Sequence, residues 1–260
     1  MRGVTTRVGA RASLAAMGTL IEISTPDGPA EAWLTGEDGR PGVLFYVDAI
    51  GLRPRTQEMA DRIASWGYVV LAPNVFHRDG RAADLAPTND LREPGNREAF
   101  FRDAMSRVGA LTPDLSNPDA RVWVETLLAH SGGDRIGVTG YCMGARLSVR
   151  TAALFPDTVV AAGGFHGGRL VTEDADSPHR LAVETARAEF LFGHADQDRS
   201  MPPEAVAALG EALTGAGLTV TNEVYAGAAH GYSMADTGVY DEAATERHFT
   251  ELRALLARTL

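Results

Sequence analysis

The chain contains a single cysteine, Cys142, in the stretch "GVTGYCMGARLS". The stretch opens as a β-branched run, turns at Gly140 and continues at helical spacing. A free cysteine is most often a small buried hydrophobe. The pattern around this one favours chemistry. Gly140-Tyr141-Cys142-Met143-Gly144 is a G-x-C-x-G motif at a strand-to-helix junction. A nucleophile on such a turn takes a strained backbone, and flanking glycines relieve the crowding. The start of the next helix favours negative charge there. Two other residues suit the role of its partners. Asp198, in "GHADQDRSMPPE", follows the apolar run "EFLFG" and precedes the prolines that open a helix. Asp196 is its rival, and the closer spacing to Pro202 favours Asp198. His230, in "YAGAAHGYSM", lies between small residues that allow close approach. His130 and His248 fall in predicted helices and His179 in a long connection. His77, His166 and His194 follow strands and could line a pocket, but lack the late position of a general base.

The elements that must position these residues alternate. "TLIEIS" and "AEAWLT" around "TPDGP" read as a hairpin. "VLFYV" (Val43–Val47), "YVVLAP" (Tyr68–Pro73) and "RIGVTG" are continuous apolar runs, as expected of strands buried on both faces. "TVVAAGGF", "EFLFG" and "LTVTNEVY" complete the strands. Helical spacing appears in "RTQEMADRIASWG", near Arg97–Val108 and Asp119–His130, in "MGARLSVRTAALFP", in "PPEAVAALGEALTGAG" and over Asp241–Arg258. Strand and helix therefore alternate from Val43 onward. That predicts a mostly parallel sheet with helices on both faces and an N-terminal β-hairpin. Ligands in such sheets bind beyond the carboxyl ends of the strands. Cys142, Asp198 and His230 each follow a different strand, in the order nucleophile, acid, histidine. That is the order of the α/β-hydrolase fold.

The totals narrow the setting. The 260 residues are 45% hydrophobic and 22% charged, enough for one well-buried core. Residues 17–260 are expected to form one domain. Residues 1–16, with arginines and no acid, are expected to be a loosely ordered leader, with Met17 a second candidate start. One cysteine excludes an internal disulfide framework or a cysteine metal cage and suits the cytoplasm. A net charge of −10 argues against a nucleic-acid or anionic-membrane partner. No apolar run approaches the ~20 residues of a membrane span.

With these motifs in place, the chain resembles the dienelactone hydrolase family, which uses cysteine where most α/β-hydrolases use serine. The residues that carry the resemblance are "GYCMGARLS", "ADQDRSMPPE", "AGAAHGY" and the early "VDAIGL". The resemblance implies an ester or lactone hydrolase with Cys142, His230 and Asp198 as its triad and no metal or organic cofactor. Backbone N–H groups of Met143 and Ala49 would form the oxyanion hole. It also implies that an acid after the "VLFYV" strand gates the cysteine. Asp48 stands there, one methylene shorter than the family's usual glutamate. Members that cleave dienelactone carry an arginine shortly after the histidine. Here Met234 takes that place, with Tyr232 and Ser233 before it. A carboxylate clamp could instead come from Arg53, Arg78, Arg97 or Arg102, and His166 is a further pocket candidate. Alternatives are a thioesterase or peptidase on the same site, a catalytically silent ligand-binding homologue, or a thiol peroxide sensor, which needs no acid–histidine pair. The expected partner is a small-molecule ester or lactone, and the expected state a monomer or homodimer.

Overall fold

The computed structural model describes residues 18–260; the expected leader over residues 1–16 and Met17 lie outside them. The alternating segments form strands β1 (Thr19–Thr25) and β2 (Gly28–Thr35), an antiparallel hairpin. Then follow β3 (Gly42–Tyr46), α1 (Pro54–Ala64), β4 (Val69–Pro73), α2 (Ala82–Leu85), α3 (Pro94–Ala110), α4 (Pro113–His130) and β5 (Ile136–Tyr141). The remainder is α5 (Met143–Leu154), β6 (Val159–Phe165), α6 (Pro178–Thr185), β7 (Glu189–Ala195), α7 (Pro203–Gly215), β8 (Val220–Tyr225) and α8 (Glu242–Thr259).

The eight strands make one sheet in the order β1-β2-β4-β3-β5-β6-β7-β8. Only the β1–β2 and β2–β4 pairs are antiparallel. Every residue of β3, β4 and β5 is buried, as a strand covered on both faces requires. Alternation along β3 shows the two faces. Phe45 packs on Tyr141 of β5, whose hydroxyl meets His248 of α8 at 3.3 Å. The next residue, Tyr46, points the other way and shares a 2.8 Å hydrogen bond with Thr151 of α5. Helices α1 and α8 cover the first face, and α4, α5 and α7 the second. Among the described residues no helix is long and apolar enough to cross a membrane.

The fold differs from expectation mainly at helix ends. Helices α3 and α4 begin at Pro94 and Pro113, earlier than Arg97 and Asp119. Proline at a first helical position removes an N–H that has no intrahelical acceptor anyway. Helices α2 and α6 lie outside the segments that show helical spacing, and both are too short for a clear period.

Parallel pairing sets Tyr46 of β3 beside Gly140 of β5, so the turn into α5 lies against the end of β3. A Cβ at Gly144 would fall 2.5 Å from the Val47 carbonyl oxygen and 2.7 Å from that of Tyr46. A Cβ at Gly140 would fall 2.1 Å from the Gly144 carbonyl oxygen. Both glycines are therefore packing requirements of the elbow. Gly144→Ala should lower the free energy of unfolding by about 1–3 kcal/mol, the usual range for overpacking. Gly215→Ala, in the last turn of α7 where a Cβ meets nothing within 4 Å, should raise it by about 0.4–1 kcal/mol. Urea unfolding of the two variants checks both signs; a neutral Gly144→Ala would contradict the close approach.

Candidate active site

The loops after β5, β7 and β8 bring Cys142, Asp198 and His230 into one hydrogen-bonded chain. His230 Nε2 lies 3.1 Å from Cys142 Sγ, and His230 Nδ1 lies 2.5 Å from Asp198 Oδ2. Asp198 Oδ1 accepts from the Ser200 N–H at 2.8 Å and the Ser200 hydroxyl at 2.7 Å, so the carboxylate is held from both sides. Asp196 does something else. Its carboxylate accepts from the Gly227 N–H at 2.9 Å and its own N–H donates to Ala228, which closes the loop before His230.

Cys142 has φ 55° and ψ −117°, a conformation rare for a residue with a side chain. Its N–H donates to the Phe165 carbonyl at 3.1 Å. His166 (φ 39°) and Gln197 (φ 52°) are also left-handed, and each of the three lies within two residues of the end of β5, β6 or β7. Strain is thus concentrated on the carboxyl edge of the sheet, where it is a common mark of functional sites.

Burial disfavours the charged form of His230, but the Cys142 sulfur and the Asp198 carboxylate outweigh it and push its pKa up to about 10. Burial likewise raises the Asp198 pKa. The hydrogen bond and charge of His230, with the two Ser200 bonds, outweigh that and bring it down to about 2. His166 is fully buried, and burial followed by the charge of His230 holds its pKa well below the usual value. Its Nε2 meets the Ser233 hydroxyl at 2.8 Å and its Nδ1 is buried without a partner. It is therefore a neutral wall of the site.

The loop after β3 closes the other side. The Ala49 N–H has no acceptor among the described residues. Met143 is the first residue of α5, where an N–H has no intrahelical acceptor. Asp48 does not make the implied gating contact with the thiol. Its short side chain is held by Arg53, with Nη1 to Oδ1 at 2.7 Å and Nη2 to Oδ2 at 3.2 Å, and it also accepts from the Ile50 and Gly51 N–H groups. Arg53 reaches Asp236 at 2.5 Å and Met234 Sδ at 3.3 Å as well, tying this loop to the one that carries His230. Arg107 of α3 donates to the Ala49 and Ile50 carbonyls at 3.0 and 3.2 Å, turning those oxygens toward α3.

A cavity of about 460 Å³ opens over the sulfur, lined by Ala49, Cys142, Met143, Asp198 and His230 among others. Of the expected substrate contacts, His166 and Met234 line it, and Asp48, expected as a gating acid, also reaches its wall. Tyr232 does not: it is fully buried and donates to the Gly193 carbonyl. Arg53 is buried between its two carboxylates, and Arg78 is paired with Asp119 and Asp27 outside the cavity. Arg102 is also absent from the lining, whereas Arg97 belongs to it. Arg146, Arg169 and Arg199 line it too, with Phe101 and Met105 of α3, and were not singled out from the sequence. Arg146 was legible there: it lies in the first turn of the helix that follows Cys142, close to the sulfur in sequence.

An eight-stranded, mostly parallel sheet with a cysteine on the elbow after β5 defines an α/β-hydrolase. The dienelactone hydrolase family model matches residues 30–260, so the chain belongs to the dienelactone hydrolase family, a family of carboxylic ester hydrolases. A Salmonella typhi protein named for carboxymethylenebutenolidase activity is 26% identical over 247 residues, covering 86% of each chain. Dienlactone hydrolase 1 of Gibberella moniliformis is 28% identical over 212 residues, 80% of this chain and 74% of that one. A Klebsiella pneumoniae crystal structure titled for a dienelactone hydrolase superposes with a TM-score of 0.77 at 21% identity, over 93% of this chain and 98% of that one.

The Asp198 shift carries a stability consequence. A carboxyl lowered from 3.8 to about 2 on folding stabilises the native state above its unfolded pKa, and that contribution is lost as pH falls through the folded one. The native protein should therefore lose about 2 kcal/mol more unfolding free energy than Asp198→Asn between pH 5 and pH 2. Urea unfolding at stepped pH measures this, and parallel curves would contradict the charged His230–Asp198 pair.

Proposed function

We propose that the protein hydrolyses carboxylic esters or lactones through a thioester on Cys142. The observation that carries this reading is the continuous chain Sγ–Nε2 (3.1 Å) and Nδ1–Oδ2 (2.5 Å) at the floor of the cavity. Cys142 Sγ attacks the substrate carbonyl carbon and its proton resides on His230 Nε2. The oxyanion formed accepts from the N–H groups of Ala49 and Met143, and one such donor commonly contributes ~3 kcal/mol. The tetrahedral intermediate collapses: the C–O bond breaks and His230 returns the proton to the leaving alcohol, which stays attached if the substrate is a lactone. Water then attacks the thioester while His230 takes its proton. Collapse of the second intermediate expels Cys142 and releases the acid. Asp198 keeps the imidazole oriented and stabilises its charge, and Ser200 keeps Asp198 in place.

A screen of p-nitrophenyl esters, lactones and thioesters tests the reading. Cys142→Ala should abolish turnover with the fold intact, and Cys142→Ser should leave weak activity, because a hydroxyl is harder to ionise. Asp198→Asn should reduce kcat far more than Asp196→Asn. Full kcat in Cys142→Ala, or a crippled Asp196→Asn beside an active Asp198→Asn, would sink the assignment.

A further inference from the structure

A second cavity of about 370 Å³ adjoins the one over the sulfur, and Met105, Val108, Arg146 and Arg169 line both. Beyond that junction its wall includes Ser116 of α4 and Arg150 of α5. Three arginines line this second cavity and no acidic residue does, in a chain whose net charge is −10. Arg146 and Arg150 lie four residues apart on α5, the helix that starts just after Cys142, so one helix face carries cations from the cavity over the sulfur into the second one.

The three cations are not equally engaged. Arg150 Nη2 reaches the Asp176 backbone oxygen at 2.6 Å and its carboxylate at 3.0 Å. Arg146 makes one long contact, 3.3 Å, to the Val108 carbonyl. The Arg169 side chain has no hydrogen-bond or carboxylate partner among the described residues; its backbone N–H donates to Ser200 and holds it at the rim. Burial lowers the Arg146 pKa, Cys142 works against that, and the neighbouring charges of Arg169 and Arg150 lower it again. A half-buried guanidinium beside a second one, with no carboxylate for either, is an arrangement that an incoming anion relieves. Close to the reacting carbonyl the site offers no such cation from the His230 loop, where Met234 stands and Arg53 is paired twice.

We propose that the second cavity is an anion subsite, in which Arg146 and Arg169 hold a carboxylate or phosphate at the far end of a substrate arm, several bonds from the scissile ester. The proposal rests on Cys142 as the reacting atom and names the substrate class: elongated esters with a distal anionic group. Charge-assisted hydrogen bonds of this kind correspond to about tenfold to a hundredfold in kcat/KM.

Two ester series test it. One carries a terminal carboxylate or phosphate on the acyl arm, the other on the alcohol arm, each matched to a neutral ester of equal chain length. In one series, at one arm length, the anionic ester should exceed its neutral match about tenfold to a hundredfold. Arg146→Gln or Arg169→Gln should bring that ratio toward one, and the ratio is unaffected by a general loss of activity. Carboxylate and phosphate arms compared at equal length identify which anion fits. Calorimetric titration with the anion-ended product acids reads the subsite without turnover, and binding should weaken to a similar extent in Arg169→Gln, whose exposed side chain leaves folding secure. Neutral esters hydrolysed with no anionic preference and no product binding would overturn the subsite alone. A preference that survives both substitutions would also overturn it. If no ester is hydrolysed but the product acids bind through Arg146 and Arg169, the Cys142 reading fails and the subsite stands.

Discussion

The reactive edge depends on one close approach, the first turn of α5 lying directly on the carbonyls that end β3. Without side chains at Gly140 and Gly144, the chain passes from β5 into α5 in a single residue. That residue, Cys142, takes the left-handed strain. With a longer turn, Sγ would not stand above the strand ends where the loops of His230 and Asp198 arrive. The same approach brings the start of α5 to the loop after β3, and Met143 and Ala49 both line the cavity. A packing constraint inside the sheet thus shapes the cavity outside it.

Charge is then divided between the two sides of the sulfur. On the His230 side, two paired groups hold each other ionised, and Ser200 anchors the pair. On the side of the loop after β3, two arginines hold the backbone. Arg53 neutralises Asp48 and bridges to Asp236, while Arg107 takes the Ala49 and Ile50 carbonyls. Removing one partner from a buried ion pair of this kind is typically destabilising by about 3–5 kcal/mol. Asp48 is therefore fixed in the loop, and the sulfur has His230 as its hydrogen-bond partner. The cations without carboxylates lie farther out, along α5 and the rim.

Much of this was legible in the sequence. Continuous apolar runs marked the central strands because both faces of a parallel sheet are covered. Glycines flanking Cys142 marked the elbow, and the order Cys142, Asp198, His230 marked which loops meet. What was not legible depended on side-chain direction and pairing. Arg53 and Arg78 follow buried strands, as a pocket residue would, but nothing local shows that Asp236 and Asp119, distant in sequence, neutralise them. Tyr232 lies two residues from His230, yet it turns inward to the Gly193 carbonyl. The capture of Asp48 by Arg53 is a five-residue contact that depends on how the loop folds back. Only Arg146, in the first turn of the helix that follows Cys142, had a readable position.

The most direct test of the account is the acyl-enzyme itself. Rapid mixing with a p-nitrophenyl ester, acid quench and peptide mass mapping should find one acyl group per chain, on the peptide containing Cys142, bound as a hydroxylamine-labile thioester and formed no more slowly than turnover. Turnover that proceeds with the acyl group on a different residue, or with no covalent species at any quench time under conditions where deacylation is slowed, would contradict it.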